Sequence, residues 1–241
     1  MSRLVERLSE RSILSIDVRG AVRGMAEPSA RAIGRTGLTP NHLTFIGFGI
    51  AIAAALAAAA NAWLTAGLLV LFGAVFDLFD GSLARATGRT SRLGAFYDSV
   101  FDRAGEGVVY VGVVIGCLAA GFQLGAILAT WASVAALLVS YTRAKSEGLG
   151  FTPGTGMAKV GLAPREVRTV ILVVALIGTW VGGGLDMGSQ LIGRDWRFGI
   201  AVGPGAEPWL ADALSVLALL ATITVIQRIL HVRNQAAEDG A

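Results

Sequence analysis

Two long stretches of this chain contain no Asp, Glu, Lys or Arg: Leu43 to Phe76 and Gly107 to Thr142. A helix crossing the hydrocarbon core of a bilayer needs roughly 20 predominantly apolar residues. Each stretch therefore has length for most of two crossings and a turn, and the turns are expected near Asn61 and near Gly121-Phe122-Gln123. Two further apolar segments follow, at Thr169–Leu185 and around Ala213–Gln227. Composition agrees: 54% of the side chains are apolar and 15% charged, against about a quarter charged in soluble domains. The expected fold is an all-α integral membrane protein with six transmembrane helices.

The basic residues orient it. If both termini share a side with segments 77–106 and 143–168, that side holds 18 of the 20 Lys/Arg residues, and only Arg194 and Arg197 lie opposite. Basic loops stay cytoplasmic, so the expectation is a multi-pass protein of the cell (inner) membrane whose polar side faces the cytoplasm. The positive charge suits an anionic leaflet. No module for nucleic acid is evident. Residues 1–36 read as a helix lying in the membrane interface, with a solvated basic arm as the alternative. The six-helix domain is expected over 37–231 and a polar tail over 232–241, frayed from 234. Cys117 is the sole cysteine and lies inside a span, so no intrachain disulfide is expected. His42 and His231 are too isolated to suggest a metal site. Trp63, Trp131, Trp180, Trp196 and Trp209 read as interface or core aromatics.

Against this background four carboxylates stand out. Asp77 and Asp80 are spaced i, i+3, and Asp98 and Asp102 are spaced i, i+4, so each pair occupies one face of its helix. The first pair ends the second span and the second opens the third. A short connection makes the two helices antiparallel neighbours, so the pairs are expected to face each other. Clustered carboxylates raise one another's pKa, and hard divalent cations relieve the repulsion. Gly81 and Gly94 permit close backbone approach. Arg85 lies one turn beyond Gly81, within reach of a phosphate. Acids with metal and arginine make a phosphoryl-transfer site. Ordinary interfacial salt bridges with the local arginines are the plainer reading. A carboxylate-lined cation transporter is a third, predicting acids near mid-bilayer on broken helices.

The pattern Asp77-x-x-Asp80-Gly81-x-x-Ala84-Arg85, followed after eight residues by Gly94-x-x-x-Asp98-x-x-x-Asp102, resembles the signature of the CDP-alcohol phosphotransferases, with every fixed position filled. The resemblance implies a six-helix enzyme that transfers a phosphatidyl group from a CDP-linked lipid such as CDP-diacylglycerol to an alcohol and releases CMP. It implies two Mg²⁺ (or Mn²⁺) ions held by Asp77, Asp80, Asp98 and Asp102, with Asp102 also the base that takes the acceptor's proton. Gly81, Arg85 and Ser91 would meet the donor nucleotide. "LTPNHLT" resembles the family's opening of the first span, which would place Thr39, Pro40, Asn41 and His42 against the donor; helix capping is the alternative for Asn41. A homodimer is also implied.

"SYTRAKSEGLG" and "KVGLAPREVRTVIL" resemble the region after the fourth span in phosphatidylinositol phosphate synthases, which implies inositol 1-phosphate as acceptor. Glycerol 3-phosphate, inositol or serine would use the same chemistry. Arg143, Lys145, Arg165, Arg168 and Arg228 are the candidate contacts to an acceptor phosphate, and Arg165 and Arg168 share a helix face. Each is also a natural cytoplasmic anchor. Relative to that group, Arg143 and Lys145 are exchanged in order, and Arg165-Glu166-Val167-Arg168 replaces Arg-Pro-Glu-Arg.

Overall fold

The computed structural model describes residues 39–87, 91–151, 157, 160–183 and 206–239, with side chains described except at 40, 78–87 and 238–239. The expected N-terminal interfacial segment 1–36, Lys159, Arg194, Arg197 and Trp196 lie outside the described residues.

Six helices make up the described chain: α1 Pro40–Ala59, α2 Trp63–Thr87, α3 Arg92–Ala119, α4 Gln123–Gly148, α5 Arg165–Val181 and α6 Glu207–Asp239. Local chemistry sets their ends. Thr39 is the N-cap of α1: its Oγ1 accepts from the backbone N–H of His42, and the His42 side chain accepts from the backbone N–H of Thr39. This reciprocal bonding is a capping box. Pro40 follows at the first helical position, where its missing N–H costs no helical bond. Ser91 caps α3 by accepting the Gly94 N–H at 2.9 Å. The tight turns fall where expected: Asn61 takes a positive φ of 59° between α1 and α2, and Gly121 one of 75° between α3 and α4.

Three helices are long and apolar enough to cross a bilayer, over Asn41–Ala59, Gln123–Gly148 and Glu207–Ala237, and Trp63–Asp77 forms a shorter apolar helix. The protein is thus an all-helical membrane protein among its described residues. In the polar C-terminal stretch, α6 continues as helix to Asp239, past the expected start of fraying at 234.

Packing closes the helices into a ring: α1 on α2, α2 on α5, α5 on α6, α6 on α4, α4 on α3, and α3 back on α1. This corrects one expectation. The acid-bearing helices α2 and α3 are not each other's main neighbours; both pack on α1, which lies between them. The reason is a seam of small residues. A Cβ at Gly112 or Gly116 of α3 would collide with the backbone of Ala55 or Ala58 on α1, and one at Gly105 would come 3.2 Å from the Ala51 Cβ. Without side chains in the way, α1 and α3 approach at backbone distance. The core fills out around Trp63, Tyr110, Leu176, Leu210, Leu214 and Leu217, all buried.

α5 is held by different means. Gly178 leaves room for the Trp209 indole of α6, whose N–H donates to the Ala175 carbonyl at 3.2 Å. The segment entering α5 is pinned by Thr224 of α6. Its Oγ1 accepts the N–H groups of Leu162 (3.0 Å) and Ala163 (2.9 Å) while donating to the Leu220 carbonyl at 2.8 Å. Gly161, at φ 118°, lies so close to the Thr224 methyl that no Cβ would fit. This clamp fixes where α5 begins, and therefore where Arg165 sits.

Candidate active site

The start of α1 lies against the start of α3. A Cβ on Gly94 would sit 3.0 Å from Ser91 Oγ and 3.1 Å from Asn41 Oδ1, so Gly94 keeps these two polar groups within one small region. Asn41 is not the cap of α1, since Thr39 holds that position. Below this polar end an aromatic cluster binds the helices: Phe45 packs edge-on against Phe101 with ring centroids 4.9 Å apart, and Phe48 does likewise at 5.1 Å. Phe101 immediately precedes Asp102, so the cluster sets the register of that acid.

Asp77 approaches from α2. Gly47 of α1 clears its path, because a Cβ there would stand 3.3 Å from Asp77 Oδ1. The carboxylates of Asp77 and Asp102 then meet on a single guanidinium. Arg165, the first residue of α5, donates from Nη2 to Asp77 Oδ2 at 2.5 Å and from Nη1 to Asp102 Oδ2 at 2.7 Å. All three side chains are partly exposed. Asp98, one turn earlier on α3, is exposed and adds its charge to both acids. The backbone of Asp80, Gly81 and Arg85 is helical, continuing α2 past Asp77; their side chains lie outside the description.

Among the described residues, Arg165 is the positive group bonded to both acids, so Asp77 and Asp102 form ion pairs with an arginine far along the chain. Asp77 and Asp102 offer carboxylate oxygens of the kind a hard divalent cation takes, from two helices and converging on a point that a positive group occupies. Among the described residues no group of three or more Asp, Glu, His or Cys side chains gathers at one point.

The other four basic candidates point elsewhere. Arg168 is buried and forks onto Glu106, Nε to Oε1 and Nη2 to Oε2, both at 2.8 Å, while Nη1 donates to the Ala163 carbonyl at 3.0 Å. Arg228 is buried on α6, donating from Nε to the Val160 carbonyl at 3.1 Å and from Nη1 to the Val139 carbonyl. Arg143 pairs with Glu147 on the exposed side of α4 at 2.9 Å, and Lys145 is exposed nearby. Of the five, Arg165 alone bonds to the acid cluster among the described residues. Glu106 and Thr224 escaped the sequence reading. Glu106 had a visible signal, four residues after Asp102 on the same helix face. Thr224 had none, since threonine is common in apolar helices.

A profile of the CDP-alcohol phosphatidyltransferase family matches residues 37–201. Among curated proteins, the chain is 32% identical to the phosphatidylinositol phosphate synthase of Streptomyces avermitilis over 216 residues, covering 89% of this chain and 80% of that one. It is 34% identical to the phosphatidylinositol phosphate synthase of Cutibacterium acnes over 211 residues, covering 86% and 91%. It is 32% identical to the archaetidylinositol phosphate synthase of Pyrococcus horikoshii over 158 residues, covering 66% and 79%. The fold is similar to the crystal structure of Mycobacterium tuberculosis phosphatidylinositol phosphate synthase with CDP-DAG bound, at TM-score 0.67 and 27% identity over 86% of this chain and 92% of that one. The same enzyme in complex with manganese and citrate gives TM-score 0.66 at 27% identity, over 86% and 88%.

Proposed function

The chain belongs to the CDP-alcohol phosphatidyltransferase family and is a phosphatidyltransferase, and from that premise we propose that it transfers the phosphatidyl group of CDP-diacylglycerol to inositol 1-phosphate, giving phosphatidylinositol phosphate and CMP. The observation that carries the reading is the convergence of Asp77 and Asp102, both positions of the family signature, on one guanidinium. The acceptor follows from the named relatives.

Bound divalent cations, two Mg²⁺ or Mn²⁺ in our reading, neutralise the donor's pyrophosphate and stabilise the departing CMP. Asp77, Asp80, Asp98 and Asp102 are the residues proposed to hold them. The chain's own groups do the rest. Asn41 and Ser91 come together beside Gly94 at the starts of α1 and α3, and with Thr39, Pro40, His42, Gly81 and Arg85 they are the proposed contacts to the cytidine diphosphate. Asp102 accepts the proton of the acceptor hydroxyl as its oxygen attacks the lipid-linked phosphorus. The bond from that phosphorus to the bridging oxygen breaks, and CMP leaves with the electron pair. A carboxylate that also held a cation would be a weak base, so proton removal accompanies attack. Arg165 is the proposed contact to the acceptor's phosphate, with Arg143 and Lys145 outside it, while Arg168 and Arg228 hold the frame.

We read all six helices as spans. The exposed Val111, Ile115 and Leu118 of α3 and Val170 and Val174 of α5 suit lipid contact. The bias of basic residues supports a site facing the cytoplasm across the cell membrane. Homodimerisation is proposed on family likeness alone. The purified chain, given radiolabelled CDP-diacylglycerol, Mn²⁺ and a panel of acceptors, is expected to form labelled phosphatidylinositol phosphate with inositol 1-phosphate. Label appearing only with glycerol 3-phosphate, inositol or serine would replace the acceptor and keep the chemistry.

A further inference from the structure

The guanidinium of Arg165 stands where the proposed function needs cations. Its two terminal nitrogens take one oxygen each from Asp77 and Asp102, at 2.5 and 2.7 Å. Those oxygens cannot serve a guanidinium proton and a divalent cation from the same lone pair, and the two positive groups repel. The side chain has somewhere to go. It is 41% exposed, on a long flexible stem, and it extends from the first residue of α5. That helix has Pro164 as N-cap, which makes no side-chain capping bond, and carries Glu166 in its first turn. An arginine at a helix N-terminus, on a stem that can swing away from the acids, suits a doubly charged oxyanion.

We propose that Arg165 is an exchangeable counter-ion: it bridges Asp77 and Asp102 in the metal-free protein, is displaced by the metal, and is thereby released to bind the acceptor's phosphate. The proposal rests on the metal-dependent reading above. Its consequence is a coupling. Metal loading raises affinity for the phosphate, and by thermodynamic reciprocity the phosphate raises affinity for metal by the same factor. An acceptor then binds well only where the donor's cations are already in place. Neither partner alone would carry the acid pair through the whole cycle; the bridge keeps two partly buried carboxylates neutralised between turnovers.

The test is Mn²⁺ binding by the detergent-solubilised full chain without donor, read from the paramagnetic resonance signal of free Mn²⁺. Sulfate serves as a soluble doubly charged oxyanion. Arg165→Gln is expected to bind Mn²⁺ about tenfold more tightly than the unmodified chain, because no competing state must be emptied. Arg165→Lys, which keeps the charge but not the two-pronged fork, is expected to fall between them. Sulfate is expected to tighten Mn²⁺ binding by the unmodified chain and leave Arg165→Gln unchanged. If Arg165→Lys matches the unmodified chain, only net charge matters and the exchange is refuted. Equal Mn²⁺ affinity in Arg165→Gln, or a sulfate effect that persists in it, refutes it as well. Absence of Mn²⁺ binding in every variant would overturn the metal site itself and this inference with it, whereas intact binding that ignores Arg165 overturns the inference alone.

Discussion

Arg168 and Glu106 form a two-pronged ion pair at 2.8 Å, with Arg168 1% exposed, one helical turn from the Arg165–Asp102 bridge on the same two helices. The two arginines of α5 thus engage two acids of α3 in register: residue 165 with 102, residue 168 with 106. The outer rung is accessible and tied to chemistry. The inner one is closed and structural.

Truncating one partner of the inner rung leaves a charge buried alone. Arg168→Leu is expected to cost about 3–5 kcal/mol, read as a lowered unfolding temperature in detergent. The double variant Arg168→Leu/Glu106→Leu is expected to recover much of that loss, since no lone charge remains. Equal stability of Arg168→Leu and the unmodified chain would contradict the assignment.

Thr224→Val keeps shape but deprives the Leu162 and Ala163 N–H groups of their acceptor. The expected loss is about 1–3 kcal/mol per unsatisfied group. Amide exchange at Leu162 and Ala163 should accelerate more than in the core of α6, and KM for the phosphorylated acceptor should rise more than kcat falls. Unchanged exchange would show that the clamp does not hold the segment.

Of the fold, the features decided locally could be read in the sequence. Uninterrupted apolar runs and their glycine or asparagine breaks gave α1 to α4 and the turns at Asn61 and Gly121, because lipid solvation and positive φ are properties of single residues and their neighbours. Partner choice was another matter. That α1 separates α2 from α3 depends on Gly112 and Gly116 meeting Ala55 and Ala58, a complementarity between helices that periodicity does not encode. The same holds for the site. The four Asp positions and their faces follow from spacing, but which arginine meets them does not: Arg165, Arg168 and Arg228 look alike in sequence, and only the Thr224 clamp and Glu106 sort them.

The α1–α3 seam has its own test. Gly112→Ala introduces a methyl group into the Ala55 backbone and is expected to destabilise by about 1–3 kcal/mol or more. Gly107→Ala meets nothing within 4 Å and is expected to stay within about 0.5 kcal/mol or gain slightly from helix propensity. Thermal unfolding of the pair separates close packing from a general effect of adding a methyl group.

Asp102→Asn is expected to lower CMP release by about 10²–10⁴-fold while CDP-diacylglycerol still binds. Retained turnover would remove Asp102 from the role of base, leaving the cation reading to Asp77, Asp80 and Asp98.

Release of CMP from CDP-diacylglycerol by the purified protein, followed with inositol 1-phosphate present and divalent cation removed and restored, tests the central claim most directly. The account predicts release that stops on chelation, resumes with Mn²⁺ or Mg²⁺ and is lost in Asp102→Asn. Release indifferent to the cation, or cation flux through reconstituted vesicles with no CMP formed under any of these conditions, would contradict it.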